Sequence, residues 1–298
     1  INSPMKVSKN KNISVLEISG QDRVEFLNNI FTNDVSKVSN KNSIYTCLLN
    51  PQGKLIADLI LSDYRNNFFI LCYSDFTEDL IKILKIYKLR SKVEITDVSS
   101  SFQYYFIDFE NLKTTLNKSE IFAGNSFVSN NSLLVIDPRL IELGAHVITE
   151  DNLIDGQEYE INNEDIDLNY FKNGVIPSSL LSKLKKVYPL EANIHLLNGI
   201  DFKKGCYVGQ EVTARMKLKN KIPKIIFSLI SDRENNHEDE SENVYANDQV
   251  VGKIIAKYDR YYFASIDMRK IQGEDLKKMN LCSDSCNFVI NHQSWFGY

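Results

Sequence analysis

No apolar run in this 298-residue chain approaches the roughly 20 residues that a bilayer-spanning helix needs, so no such helix is expected. The five cysteines are odd in number and widely scattered, which speaks against a disulfide framework and for a reducing compartment. The four histidines, His146, His195, His237 and His292, show no metal-ligand spacing, and none is read as catalytic. Net charge is only -4, and negative, which argues against a protein whose main partner is nucleic-acid backbone. The opening residues, Ile1-Asn2-Ser3-Pro4-Met5, lack the basic-then-apolar order of a secretory leader. No short-period repeat is present. What remains, 43% hydrophobic and 25% charged, fits an ordinary soluble globular protein with two cores, or one large core and an appended module.

Periodicity supplies the elements. Ile13 to Ile18 reads as a strand, and Val24, Leu27, Ile30 and Phe31 fall at helical spacing, stopped by Thr32-Asn33-Asp34. Ile44 to Leu49 and Leu55 to Leu61 are strands joined by Asn50-Pro51-Gln52-Gly53, a type I turn pattern. A turn at Asn66-Asn67 leads into a strand from Phe68 to Tyr73. A helix through Leu80, Ile83, Leu84 and Tyr87 follows, with Asp75 or Ser74 as its cap, and then a strand from Val93 to Val98. The order is α+β. Further strands are expected at Tyr104 to Phe109, Leu133 to Ile136 and Ala145 to Ile148, with a helix from Glu164 to Phe171 ended by Asn173-Gly174. Beyond Asn220 the short strand runs Ile225 to Ile230, Val250 to Ala256, Tyr261 to Ile266 and Phe288 to Ile290 suggest a small barrel or sandwich, interrupted by an acidic loop from Glu234 to Glu242.

The most unusual stretch runs from Lys203 to Arg215: Lys-Lys-Gly-Cys-Tyr-Val-Gly-Gln-Glu-Val-Thr-Ala-Arg. Gly205 and Gly209 suit backbone bends or close approach, and Gln210 to Met216 reads as a helix with a polar first turn. Cys206, ahead of that helix and beside Lys203 and Lys204, has the surroundings that favour thiolate. The alternative is a small buried cysteine in a Gly-containing turn.

Together with Pro189-Leu190-Glu191-Ala192-Asn193 and Leu197-Asn198-Gly199, this stretch resembles the YgfZ family of folate-binding iron–sulfur cluster assembly factors, relatives of the glycine-cleavage T-protein. Gly20-Gln21-Asp22-Arg23, Thr32-Asn33-Asp34, Asn50-Pro51-Gln52-Gly53-Lys54 with Asp58, and Asp137-Pro138-Arg139 with Leu143-Gly144 extend the similarity over most of the chain; His146 stands where the family carries an arginine. The resemblance implies an α+β fold. Ferredoxin-like subdomains, about 1–100 and 101–220, would form a folate-binding core over residues 1–220, with a β-barrel over 221–298.

It also implies chemistry. Tetrahydrofolate or a derivative is the expected cofactor, with Glu191 accepting from the pyrimidine edge of the pterin. Asp58 is half of an acidic pair whose other member is here Ala57. Asn33, Lys204, Gly205, Gln210, Glu211 and Arg215 complete the expected binding set, and Cys206 is the functional thiol. Each has a plain structural alternative, such as a helix-end acid for Glu191, an exposed strand acid for Asp58 and solvated charge for the basic residues. Cys282 and Cys286 could join Cys206 in a three-cysteine site, although the C-x3-C spacing is a weak signal; Cys47 and Cys72 read as core. The expected role is that of a monomeric accessory factor for [4Fe–4S] proteins. Its partners would be folate and client or assembly proteins, and not membrane or nucleic acid. The expected location is the bacterial cytoplasm, or the mitochondrial matrix in a eukaryote. The rival reading is a folate-dependent aminomethyl transferase, which the loss of the second acid weakens.

Overall fold

The structure is a computed structural model describing residues 8–9, 12–117, 121–153, 163–184, 186–219, 221–233, 242–276 and 279–297. The acidic stretch from Glu234, up to residue 241, and His237 within it lie outside the described residues. The chain divides into two compact units, one of residues 1–162 with 197–212 and the other of residues 163–196 with 213–298.

The first unit carries two antiparallel five-stranded sheets. Strands β1 (Ser8–Lys9), β2 (Ile13–Ser19), β3 (Ile44–Leu49), β4 (Leu55–Tyr64), β5 (Asn67–Tyr73), β6 (Glu94–Asp97), β7 (Gln103–Ile107), β8 (Ser126–Val128), β9 (Ser132–Ile136) and β10 (Ala145–Thr149) form the orders β3-β4-β5-β2-β6 and β1-β7-β10-β9-β8. Helices α1 (Arg23–Asn28) and α2 (Thr77–Lys88) cover the first sheet through Phe26, Leu27, Leu80 and Leu84, which meet Leu16, Ile18, Leu48, Leu61 and Ile70 in one apolar cluster. Reading β6-β2-β5-β4 across that sheet gives a ferredoxin-like arrangement with β3 added at the edge. Helix α3 (Phe109–Thr115) supports the second sheet, where Leu112 joins Tyr105, Ile107, Ile136 and Val147.

The expected strands and helices of this half are present, with local differences; helix α1 ends at Asn28, short of the expected Phe31. The hairpin after β4 turns at Arg65-Asn66, both at positive φ, so Asn67 already belongs to β5. Neither Ser74 nor Asp75 caps α2; its cap residue is Phe76, without a side-chain bond. The strand expected to reach Phe109 stops at Ile107, because Asp108 accepts from the Asn111 N–H and starts α3.

The second unit holds α4 (Asn163–Lys172), α5 (Ser178–Leu181) and a closed barrel, with strand order β11-β14-β13-β12-β15-β16. These strands are β11 (Lys224–Ser231), β12 (Asn243–Ala246), β13 (Gln249–Tyr258), β14 (Tyr261–Asp267), β15 (Leu281–Cys282) and β16 (Asn287–Ile290). Phe227, Leu229, Val244, Phe263, Leu281 and Phe288 are among its buried residues, and Phe171 of α4 stacks on Phe263 with ring centroids 4.6 Å apart. Strand β16 pairs with β11 only from Leu229 onward. Nearer its start, β11 is met by the Pro-Leu-Glu-Ala-Asn segment instead: Ile226 N–H donates to the Glu191 carbonyl, and the Asn193 amide donates to the Ile226 carbonyl. Helix α6 (Gln210–Leu218) begins at the residue expected.

Candidate functional site

The cysteine stretch is held at both ends. On one side the Lys204 ammonium donates to the carbonyls of Asn28, Phe31 and Asn33 at 2.6, 2.7 and 3.0 Å. A lysine has three N–H donors, and all three are spent on carbonyls of the last residue of α1 and of the segment that follows it. Burial pulls the Lys204 pKa down to about 8, with Asp34 and Asp201 opposing, so it is still charged at neutral pH. On the other side Gly209, at φ +80°, lies against the Asn-Pro-Gln-Gly turn: a Cβ there would stand 2.6 Å from the Asn50 carbonyl oxygen. Gly53 answers it at φ +76°, where a Cβ would meet Val212 Cβ at 2.9 Å. Two glycines, one on each partner, let the turn and the loop interlock. Between these anchors Cys206 is exposed.

Four segments that are distant in sequence meet beside this loop. Thr32 donates to the Gly199 carbonyl at 2.7 Å, and the Asn33 amide donates to the carbonyls of Tyr45 and Asn198, both at 2.8 Å. Asn33 Oδ1 accepts from the Asp34 N–H. Asn198, at φ +62°, donates to the Pro138 carbonyl. They frame a cleft of about 460 Å³ whose walls include Tyr45, Pro138, Asn198, Phe202, Lys37 and Lys203. Lys37 is paired with Asp201 across 2.6 Å.

Beneath the cleft lies a buried charge cluster joining the two sheets. Arg139 is 6% exposed and forks onto Asp137 with bonds of 3.0 and 2.6 Å. Its guanidinium lies 5.0 Å from the Tyr45 ring centre and 3.9 Å from an Asp58 oxygen. Tyr45 donates to Asp58 at 3.0 Å. On the far side His146 Nε2 bonds Asp137 at 2.8 Å, and its Nδ1 is bonded to the Tyr104 hydroxyl. Burial alone would raise the Asp137 pKa, but Arg139 and the His146 hydrogen bond outweigh it and hold the carboxyl well below the usual range. Burial and the Asp58 charge push the Tyr45 hydroxyl and the Cys47 thiol well up.

The sequence-based site residues fall into distinct places. Asp58 is not an exposed strand acid: it is 1% exposed and committed to Tyr45 and Arg139. Asn33 and Lys204 brace the backbone around the cleft, with their donors already used. Gly205 has nothing within 4 Å of a would-be Cβ. Gln210 Oε1 accepts from the Tyr207 N–H, and Glu211 is exposed in the first turn of α6. Cys206 stands ahead of α6, which starts at Gln210 as expected, but the Lys204 ammonium expected beside the thiol is spent on carbonyls. In the second unit Glu191 sits in a series of turns rather than a helix, its Oε2 accepting from the Tyr188 N–H at 2.9 Å, and Arg215 is exposed on α6. Cys47 and Cys72 are buried core residues, as expected. Among the described residues no group of three His, Cys, Asp or Glu side chains is arranged to hold a metal ion. Sequence reasoning gave His146 no role and passed over Tyr45; a histidine inside the wholly buried strand Ala-His-Val-Ile-Thr was the available signal.

This architecture can be placed among known proteins. Aminomethyltransferase T of the glycine cleavage system from Bartonella henselae superposes on 97% of this chain and 86% of its own, with a TM-score of 0.74 and 10% identity. The fold is T-protein-like. Residues 7–107 match the family described as GCVT N-terminal domain. Over 229 residues the chain is 29% identical to "Iron-sulfur cluster assembly factor IBA57 homolog, mitochondrial" of Mycosarcoma maydis, covering 72% of this chain and 54% of that protein. The protein of the same name from Dictyostelium discoideum is 29% identical over 253 residues, covering 74% and 61%. The mouse protein, "Iron-sulfur cluster assembly factor IBA57, mitochondrial", is 26% identical over 234 residues, covering 72% and 63%. The chain thus spans between about half and just under two thirds of the length of these curated relatives.

Proposed function

We propose that this protein is a tetrahydrofolate-binding accessory factor in the assembly or repair of [4Fe–4S] proteins, with Cys206 as its working thiol. The observation that carries the reading is the exposed Cys206 on a loop fixed by Lys204 at one end and by the Gly53–Gly209 contact at the other. Holding a thiol at the surface on a braced loop does nothing for packing, and suits a group that must meet another molecule. The names of the related assembly factors support the same class of work.

The residues around the cleft fit a folate. Its volume, about 460 Å³, is in the range of small-molecule sites. Phe202 offers a face to a fused ring beside the buried Tyr45, Asn198 offers a polar group, and Lys37 and Lys203 offer cations to a glutamate tail. A bound reduced folate would supply a pteridine able to carry one-carbon units. The chain's part is to bind it, with Arg139 packed beneath Tyr45 to hold that ring in place. The remaining cofactor-binding assignments, Glu191, Gln210, Glu211 and Arg215, belong to the same proposal.

The test is complementation of a cluster-assembly mutant with wild type and Cys206→Ser, assaying a [4Fe–4S] enzyme. Wild type should restore activity and the variant should not. Equal rescue would remove the thiol from the mechanism, and turnover that forms methylenetetrahydrofolate would favour a transferase instead.

A further inference from the structure

One wall of the cleft is the turn Asp137-Pro138-Arg139, which folds back on itself. Asp137 Oδ1 accepts from the Arg139 backbone N–H and from its Nε, at 2.9 and 3.0 Å, and Oδ2 accepts from Nη2 at 2.6 Å. Pro138, at the tip of this closed turn, stands in the cleft lining, and its carbonyl accepts from the Asn198 amide at 3.3 Å. A proline has no N–H to tie it down, so the place of this wall is set by what holds Asp137 and Arg139.

His146 is part of that hold. Ala145 and Val147 of β10 pack into the cluster under α3, and alternation along the strand turns His146 to the opposite face. There its Nε2 bonds Asp137 Oδ2 at 2.8 Å. A carboxylate only accepts, so Nε2 carries a proton. The Tyr104 hydroxyl on Nδ1, and the Phe106 ring 6.2 Å away and edge-on, fix the rotation of the imidazole. With His146 in place each Asp137 oxygen accepts two hydrogen bonds, which fills the capacity of a carboxylate. Arg139 in turn lies against Tyr45, the neighbouring wall. An apolar side chain would serve packing in this wholly buried strand, whereas a polar ring is tolerated there only when it is bonded.

We propose that His146 is a positioning residue for the cleft: from the second sheet it fixes the Asp137 carboxylate, and through it the Pro138 and Tyr45 walls that a ligand meets. The inference rests on the reading of the cleft as a folate site. His146 lies outside the cleft lining and acts through Asp137 and Arg139.

Two amide side chains separate the roles of the two ring nitrogens. A glutamine amide reaches where Nε2 stands, and an asparagine amide only where Nδ1 stands. The probe is folinic acid, a reduced folate, titrated by calorimetry against the full chain, with the melting temperature of each variant recorded alongside. His146→Gln should bind nearly as wild type does. His146→Asn should weaken binding about tenfold, the size that outer partners of a binding group typically carry. Tyr104→Phe, a milder change that keeps the packing, should weaken it several-fold. The Arg139 Nε–H, sheltered on Asp137, should give a proton resonance protected from exchange in wild type and His146→Gln, and should lose that protection in His146→Asn. Equal losses of affinity in His146→Gln and His146→Asn would reduce His146 to packing and overturn the proposal. So would full affinity in both His146→Asn and Tyr104→Phe, or lost affinity with the Arg139 resonance unchanged. Failure of wild type to bind folinic acid would instead overturn the folate reading, and this inference with it.

Discussion

At the scale of single residues, the cysteine loop contains glycines of opposite kinds. Gly209 is at positive φ with a carbonyl oxygen 2.6 Å from any Cβ, whereas Gly205 faces open space. Gly209→Ala should therefore cost about 2 kcal/mol or more, and Gly205→Ala should be neutral or slightly stabilising. Chemical denaturation of the two variants checks this. Lys204→Met would leave the carbonyls of Asn28, Phe31 and Asn33 without their donor and should cost about 2–3 kcal/mol. The thiols differ as sharply: burial raises the Cys47 pKa well above its ordinary value and takes Cys72 to about 12, whereas Cys206 is exposed. Native labelling with iodoacetamide at mildly alkaline pH should modify Cys206 first, and Cys206→Ser should remove that fast phase with little change in melting temperature.

At the scale of elements, the two sheets of the first unit are joined by charge as well as by apolar packing. Asp137→Asn would leave Arg139 buried without its forked carboxylate, a loss of about 3–5 kcal/mol in urea denaturation. A different element governs the acid limb of stability. His195, on the turns that follow Glu191, has its pKa lowered from 6.5 to about 4 by burial, with the Lys217 charge adding to the effect. Between those values the unfolded chain takes up a proton that the folded chain refuses, so stability falls as pH drops from 6.5 to 4. His195→Gln should flatten that part of the melting-temperature profile. The strands were legible at this scale because alternation over five or more residues marks a half-buried sheet, and Asn-Pro-Gln-Gly made its turn as expected, with Gly53 N–H on the Asn50 carbonyl. Helix α3 escaped notice because its start, Asp108, follows the strand without a break in hydrophobicity.

At the scale of the whole molecule, the T-protein-like fold makes ligand binding testable without any assay of activity. If tetrahydrofolate binds only the native state, a concentration 100 times its Kd should stabilise the protein by about 2.7 kcal/mol, seen as a rise in melting temperature. Lys203→Ala with Lys37→Ala should reduce that rise if the cleft holds the glutamate tail, and no rise in wild type would remove folate from the reading.

Sequence alone determined the longer strands and helices, the turn at Asn50 to Gly53, the start of α6 at Gln210 and the peculiarity of the Lys203–Arg215 stretch. These depend on neighbours a few residues apart, which periodicity and turn chemistry encode directly. Tertiary structure alone decided what those residues face. The cleft takes its walls from residues near 33, 45, 138 and 200, and no local pattern links segments so far apart. Nor could spacing reveal that Lys204 would spend its charge on the carbonyls of Asn28, Phe31 and Asn33, or that Asp58 would be sealed against Tyr45 and Arg139. A polar residue reads the same in sequence whether it meets water, a ligand or a buried partner, and only the packing around it settles which.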